Sequence, residues 1–134
     1  MVVELFVYVE SPSKYKITPE FLTSLNWTYE LTEYLTLNVG RLGKFDFPAG
    51  HYVYTGSAKA NLEARIARHL SKDKKLKWHI DYLLNAPGVH VNQVTRSIEN
   101  ECACNQNTPG NCLLAKFGAS DCRAGCVSHL KYQA

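Results

Sequence analysis

Gly50-His51-Tyr52-Val53-Tyr54-Thr55-Gly56-Ser57 runs without a break into Ala58-Lys59-Ala60-Asn61-Leu62-Glu63-Ala64-Arg65-Ile66-Ala67-Arg68-His69-Leu70. The first block is aromatic and β-branched, as a strand is, and Tyr52 and Tyr54 alternate along it, so both point to one face. Gly56-Ser57 closes that strand where a helix is about to start. From Lys59 to Leu70 the period changes. At about 100° per residue, Leu62, Ile66 and Leu70 fall within roughly 80° of one another and form a buried stripe. Asn61, Arg65, Arg68, His69 and Lys72 gather on the adjoining arc, where Arg65 and His69, four apart, project from the same side.

Working outward, Met1 to Val9 reads as a strand closed by Ser11-Pro12-Ser13, and a short helix is predicted over Pro19 to Leu25, capped by Thr18. Trp27 to Val39 holds one or two strands ending at the Gly40 and Gly43 turns. Beyond the central block, a lysine loop, Lys72 to Lys77, leads to a helix from Trp78 to Asn85 that Pro87-Gly88 ends. Val89, Val91 and Val94 predict a further strand. Glu99 to Asn105 begins a short helix, and the tail from Lys116 carries little periodic signal. Strands and helices in this order, with short loops between the early strands, predict an α+β fold with antiparallel pairing.

The chain has 134 residues, 46% of them hydrophobic and 20% charged, which excludes disorder. No stretch approaches the roughly 20 apolar residues of a membrane helix. The start, with Glu4 and Glu10 and no basic flank, does not read as a secretory signal. A soluble, cytoplasmic, single-domain protein without membrane contact is expected. The net charge of +3 is uneven: seven basic residues from Lys59 to Lys77 face only Glu63 and Asp73. Such a cluster attracts a polyanion such as a nucleic-acid backbone, the more ordinary reading being a solvated helix face. The nucleic-acid candidates are Lys59, Arg68, Lys72, Lys74, Lys75 and Lys77.

Phenols, a guanidinium and an imidazole beside a glycine turn can handle a phosphodiester: arginine neutralises phosphate oxygens, and phenol or imidazole manages a proton. Each also has a plain structural reading, as a packing tyrosine, a solvated arginine or a core histidine. The set resembles the GIY-YIG nuclease superfamily. Tyr54-Thr55-Gly56 stands at its second motif, and Arg65 followed by His69 matches its helix signature. The chain is more similar still to a branch of that superfamily, of no assigned function, found in archaea and bacteria and sometimes fused to an endonuclease III-type repair enzyme. The blocks that carry this are Val39-Gly40-Arg41-Leu42-Gly43, Phe47-Pro48-Ala49-Gly50, Tyr52 to Ala58, Arg68-His69-Leu70, Trp78 to Leu83, Glu101-Cys102, Phe117 to Cys122 and Ser128-His129-Leu130.

The resemblance spans roughly residues 28–132 and implies a mainly antiparallel three-stranded sheet flanked by helices. Residues 1–26 are then an N-terminal extension, an extra strand and helix packed on a 27–134 nuclease domain. It implies an endonuclease hydrolysing DNA, including branched or repair intermediates, with a repair endonuclease as a partner. The catalytic residues carried over are Tyr29, Tyr54, Gly56, Arg65 and His69, with a single Mg²⁺ or Mn²⁺ on Glu101 and Asp81 as a rival ligand. The first motif should read Gly-Ile-Tyr; Trp27-Thr28-Tyr29 lacks the glycine, and Gly50-His51-Tyr52 is closer locally but sits on the strand of the second motif. The resemblance implies that Tyr29 or Tyr54 orients or deprotonates the attacking water, directly or through His69. The alternatives are a nucleic-acid-binding module that has lost cleavage, or a cysteine-based zinc or redox interaction domain.

Five cysteines fall late: Cys102, Cys104, Cys112, Cys122 and Cys126. Cys122-x3-Cys126-x2-His129 has the short spacing of zinc ligands, with Cys102 or Cys104 able to supply a fourth. A structural disulfide and plain unpaired thiols are the alternatives.

Overall fold

Alternation along the first strand organises the molecule. In β1 (Val2–Val9), Val3, Leu5, Val7 and Val9 are buried on one face. Its neighbour β4 (Gly50–Ser57) runs antiparallel with Leu5 opposite Tyr54 and Val7 opposite Tyr52, which puts both tyrosines on that same face. On the other side β1 pairs with β5 (Val89–Ser97), and β4 pairs in turn with β6 (Leu130–Gln133). The order is β5-β1-β4-β6, every pair antiparallel. A separate hairpin joins β2 (Tyr34–Asn38) to β3 (Lys44–Pro48). This is a computed structural model, and it describes residues 2–10, 34–58, 60–119 and 125–133.

Two helices, α1 (Leu62–Leu70) and α2 (His79–Leu84), close the apolar face. Leu62, Ile66, Ile80, Leu83 and Leu84 pack with Val3, Leu5, Tyr52, Tyr54, Phe47 and Phe117 in one core. The short helix α3 (Glu101–Asn107) lies on the opposite face, where Glu4 of β1 accepts hydrogen bonds from Cys104 Sγ at 3.2 Å and Thr108 Oγ1 at 2.8 Å. The site is therefore assembled at the strand end that both helical layers reach. No helix among the described residues is long and apolar enough to cross a membrane.

The α+β class with an antiparallel sheet between helices is as the sequence predicted. The main sheet has four strands: β1, the extra N-terminal strand of the sequence reading, lies between β5 and β4, and the tail supplies β6. Residues 2–9, expected in an extension packed on the domain, are an inner strand hydrogen-bonded on both edges. The helix predicted over Pro19–Leu25 lies outside the described residues. In α1 the buried stripe is Leu62, Ile66 and His69, while Leu70 is 50% exposed. The helix also begins at Leu62, because Asn61, in the left-handed conformation, caps it by accepting from the Ala64 N–H at 3.2 Å.

Candidate active site and metal centre

β4 continues through Gly56 to Ser57, so Gly56 does not terminate the strand as the sequence suggested. Its lack of a side chain serves Tyr54 instead. A Cβ at Gly56 would lie 3.0 Å from the Tyr54 ring, and one at Gly118 would lie 2.9 Å from the ring's other edge. The phenol is thus slotted between two glycines, with His69 edge-on at 6.1 Å between ring centroids.

Ser57, to which the sequence assigned no role, joins the two charged candidates. Its backbone carbonyl accepts from Arg65 Nη1 at 3.2 Å, and its hydroxyl donates to Glu101 Oε2 at 3.0 Å. Arg65 comes from the polar arc of α1 and Glu101 from the first turn of α3, so one residue at the strand end gathers a guanidinium and a carboxylate from opposite layers. Burial opposes the charge on Glu101, but the His129 ring, its Nδ1 3.3 Å from Oε1, and the Ser57 hydroxyl, with Arg65 nearby, hold its carboxyl below the usual range.

Trp78, at the N-cap of α2, is a second residue to which the sequence assigned no role. The Arg65 and Arg68 guanidinium carbons lie 4.2 and 4.1 Å from its ring centroid, and Lys77 Nζ lies at 5.3 Å. Stacked cations on an indole form a rigid basic platform. A lone Trp in a helical window carries no periodic signal that separates such a platform from core.

His69 is buried, its Nδ1 without a hydrogen-bond partner. Burial first, and Lys74 second, push its pKa down to about 4, so the imidazole is neutral at pH 7. Asp81, the rival metal ligand, is fully buried and structural. Arg68 grips it at 2.8 and 2.9 Å, and the N–H groups of Lys77 and Trp78 donate to Oδ2 at 2.9 and 2.8 Å. Its four donors leave no face for an ion.

The basic run divides. Arg68 is held by Asp81 and by the Lys75 carbonyl at 2.9 Å. Lys74 turns inward to the carbonyls of Arg68 and His69 at 3.2 and 2.9 Å, its side chain 4% exposed. Lys72 reaches the Leu84 carbonyl and, at 3.2 Å, that of Val89. All three were expected to meet nucleic acid; Lys74 and Lys72 instead donate to carbonyls at the ends of α1 and α2, since a long cationic stem can satisfy orphan helix-end carbonyls as readily as a phosphate, and Arg68 is held by Asp81. Lys72, Lys75 and Lys77 are exposed. Tyr29, Lys59 and Cys122 lie outside the described residues.

On the α3 side, the ligand atoms of Cys102, Cys126 and His129 all lie within 4.8 Å of one another. Cys104, the other candidate beside Cys102, points away and donates to Glu4, and burial followed by Glu4 pushes its thiol up to about 12.

Fold and site together define a small α+β domain in which a cation-bearing helix faces a carboxylate across a strand end. The chain belongs to the family described as domain of unknown function DUF123, whose model matches residues 28–134. β1 precedes the matched segment yet lies inside its sheet. No curated protein and no solved structure matches the chain.

Proposed function

We infer that this domain is a divalent-metal-dependent endonuclease acting on DNA, including branched or repair intermediates. The observation that carries this is the meeting of Arg65 and Glu101 on the two sides of Ser57. Phosphodiester hydrolysis needs a cationic group for the phosphate oxygens and an anionic oxygen ligand for a hard ion. The ionised Glu101 carboxylate suits Mg²⁺ or Mn²⁺, and such an ion, when bound there, supplies charge stabilisation at the scissile phosphate and the leaving oxygen.

Arg65, stiffened by Trp78, pairs with a non-bridging phosphate oxygen. Lys77 and Lys75 extend the positive rim along the backbone of the substrate. His69, neutral at pH 7, can accept a proton, and the adjoining Tyr54 phenol orients the attacking water. Because His69 is buried, in this reading it acts through the phenol and not by touching DNA.

A second reading, a binding module without cleavage, is favoured by one observation. β1 supplies only Val3, Leu5, Val7 and Val9 to the face on which Tyr54 lies, so no second phenol comes from that strand. Incubation with branched, flapped and duplex DNAs in Mg²⁺, Mn²⁺ or EDTA separates the two. Divalent-dependent nicking supports the endonuclease, and salt-sensitive binding without nicking supports the module.

A further inference from the structure

We propose that Cys102, Cys126 and His129 form a zinc site that straps α3 to the loop leading into β6, with Glu101 orienting the histidine from behind. This does not depend on the nuclease reading.

The three ligand atoms already occupy a volume of the right size. Cys102 Sγ and His129 Nε2 are 3.9 Å apart, and the whole group lies within 4.8 Å. Bonds of about 2.3 Å to sulfur and 2.0–2.1 Å to nitrogen at tetrahedral angles place neighbouring ligand atoms roughly 3.5–3.8 Å apart. Closing on an ion therefore takes side-chain shifts of less than about 1 Å on that geometry. Two sulfurs and an imidazole select a soft or borderline ion over Mg²⁺.

The surroundings are built for it. His129 is almost fully buried, and its main chain is clamped on both sides: its N–H donates to the Phe117 carbonyl at 2.9 Å, and its carbonyl accepts from Thr55 at 3.0 Å. While Nε2 faces the Cys102 sulfur, Nδ1 lies 3.3 Å from Glu101 Oε1. A carboxylate on the far nitrogen of a histidine fixes the ring and the tautomer that leaves the other nitrogen's lone pair toward a metal. Gln106 Nε2 donates to Cys126 Sγ at 3.6 Å, an interaction that suits a thiolate. Cys104 is turned away to Glu4 and Cys112 is exposed, so neither competes. Binding Zn²⁺ forms two Zn–S bonds and one Zn–N bond and releases the two thiol protons to solvent.

The test is the metal content of the full chain purified in reductant without chelator. One zinc per chain is expected, and Co²⁺ in its place should give thiolate-to-cobalt charge-transfer absorption. Cys126→Ser and His129→Ala should lose the metal, while Cys112→Ser should keep it. Glu101→Gln leaves all three ligands intact and should weaken zinc 10- to 100-fold in chelator competition, as loss of such an outer partner typically does. Wild-type protein that holds no zinc, or that carries a Cys102–Cys126 disulfide, overturns the proposal. So does a cobalt spectrum that Cys126→Ser leaves unchanged.

Discussion

Arg68 holds Asp81 with both arms of its guanidinium, Nη1 to Oδ1 at 2.8 Å and Nη2 to Oδ2 at 2.9 Å, across the junction of α1 and α2. The carboxylate is wholly buried, and the arginine is the cap of a network that also fixes the first turn of α2. Arg68→Ala would remove the bidentate partner of that buried charge and leave it to Lys74 Nζ at 3.9 Å and two backbone N–H groups; breaking a buried pair typically costs about 3–5 kcal/mol. Urea unfolding should show a loss of that order; a change below about 0.5 kcal/mol, normal for surface sites, would remove the pair from the scaffold.

Lysines of the loop should separate into two kinds. Lys74→Ala removes donors to two carbonyls at the end of α1 and should lower stability by about 1–2 kcal/mol through the missing hydrogen bonds. Lys75→Ala with Lys77→Ala should leave melting unchanged and instead weaken DNA binding for all sequences alike. The slope of log Kd against log salt should flatten by about 0.9 for each phosphate that is no longer neutralised. An unaltered slope would make the loop ordinary solvated charge.

Acid should weaken the fold through His69. Its folded pKa, about 4, is depressed from the ordinary 6.5, so the unfolded chain takes up the proton first as pH falls. Stability is therefore complete above about 6.5 and declines towards about 4, by roughly 3 kcal/mol in all at 1.36 kcal/mol per pH unit. Denaturant midpoints for His69→Gln should fall less steeply over this window than those of the wild type. Parallel profiles would contradict a buried neutral imidazole.

Thiol chemistry distinguishes the cysteines outside the cluster. Cys112 is exposed, whereas Cys104 is buried against Glu4, which keeps it protonated. In mildly alkaline iodoacetamide, peptide mapping should find Cys112 alkylated first and Cys104 last, since the thiolate is the nucleophile. Early modification of Cys104 would contradict its packing.

Much of this architecture is legible in the chain. The change of period between Gly50–Ser57 and Leu62–Leu70 locates the central strand and helix, and the antiparallel α+β class follows from element order. What escapes does so for identifiable reasons. Val2–Val9 reads as a strand of an extension, since only long-range pairing shows that it lies inside the sheet. Lys72, Lys74 and Arg68 look like surface charge because composition does not reveal where a long side chain ends. His69 replaces Leu70 in the core because at about 100° per residue it lies roughly 20° from Leu62 on the helical wheel, whereas Leu70 lies roughly 80° away. Arg65 and Glu101 are both visible in the sequence, but Ser57, which joins them, carries no pattern of its own.

The endonuclease reading stands most directly on Arg65. Its guanidinium is stacked on Trp78 and anchored to Ser57, so Arg65→Ala should cost only about 1 kcal/mol of stability. Loss of a preorganised charge on the phosphate should slow cleavage by on the order of 10²-fold or more. The decisive measurement is the single-turnover rate of DNA nicking in Mg²⁺ or Mn²⁺ for wild type and Arg65→Ala, with melting followed alongside. Divalent-dependent cleavage by the wild type, abolished in a variant that still melts nearly normally, is the expected result. Wild-type protein that binds DNA yet never nicks it with either ion, or an Arg65→Ala variant that cleaves at the wild-type rate, would contradict it.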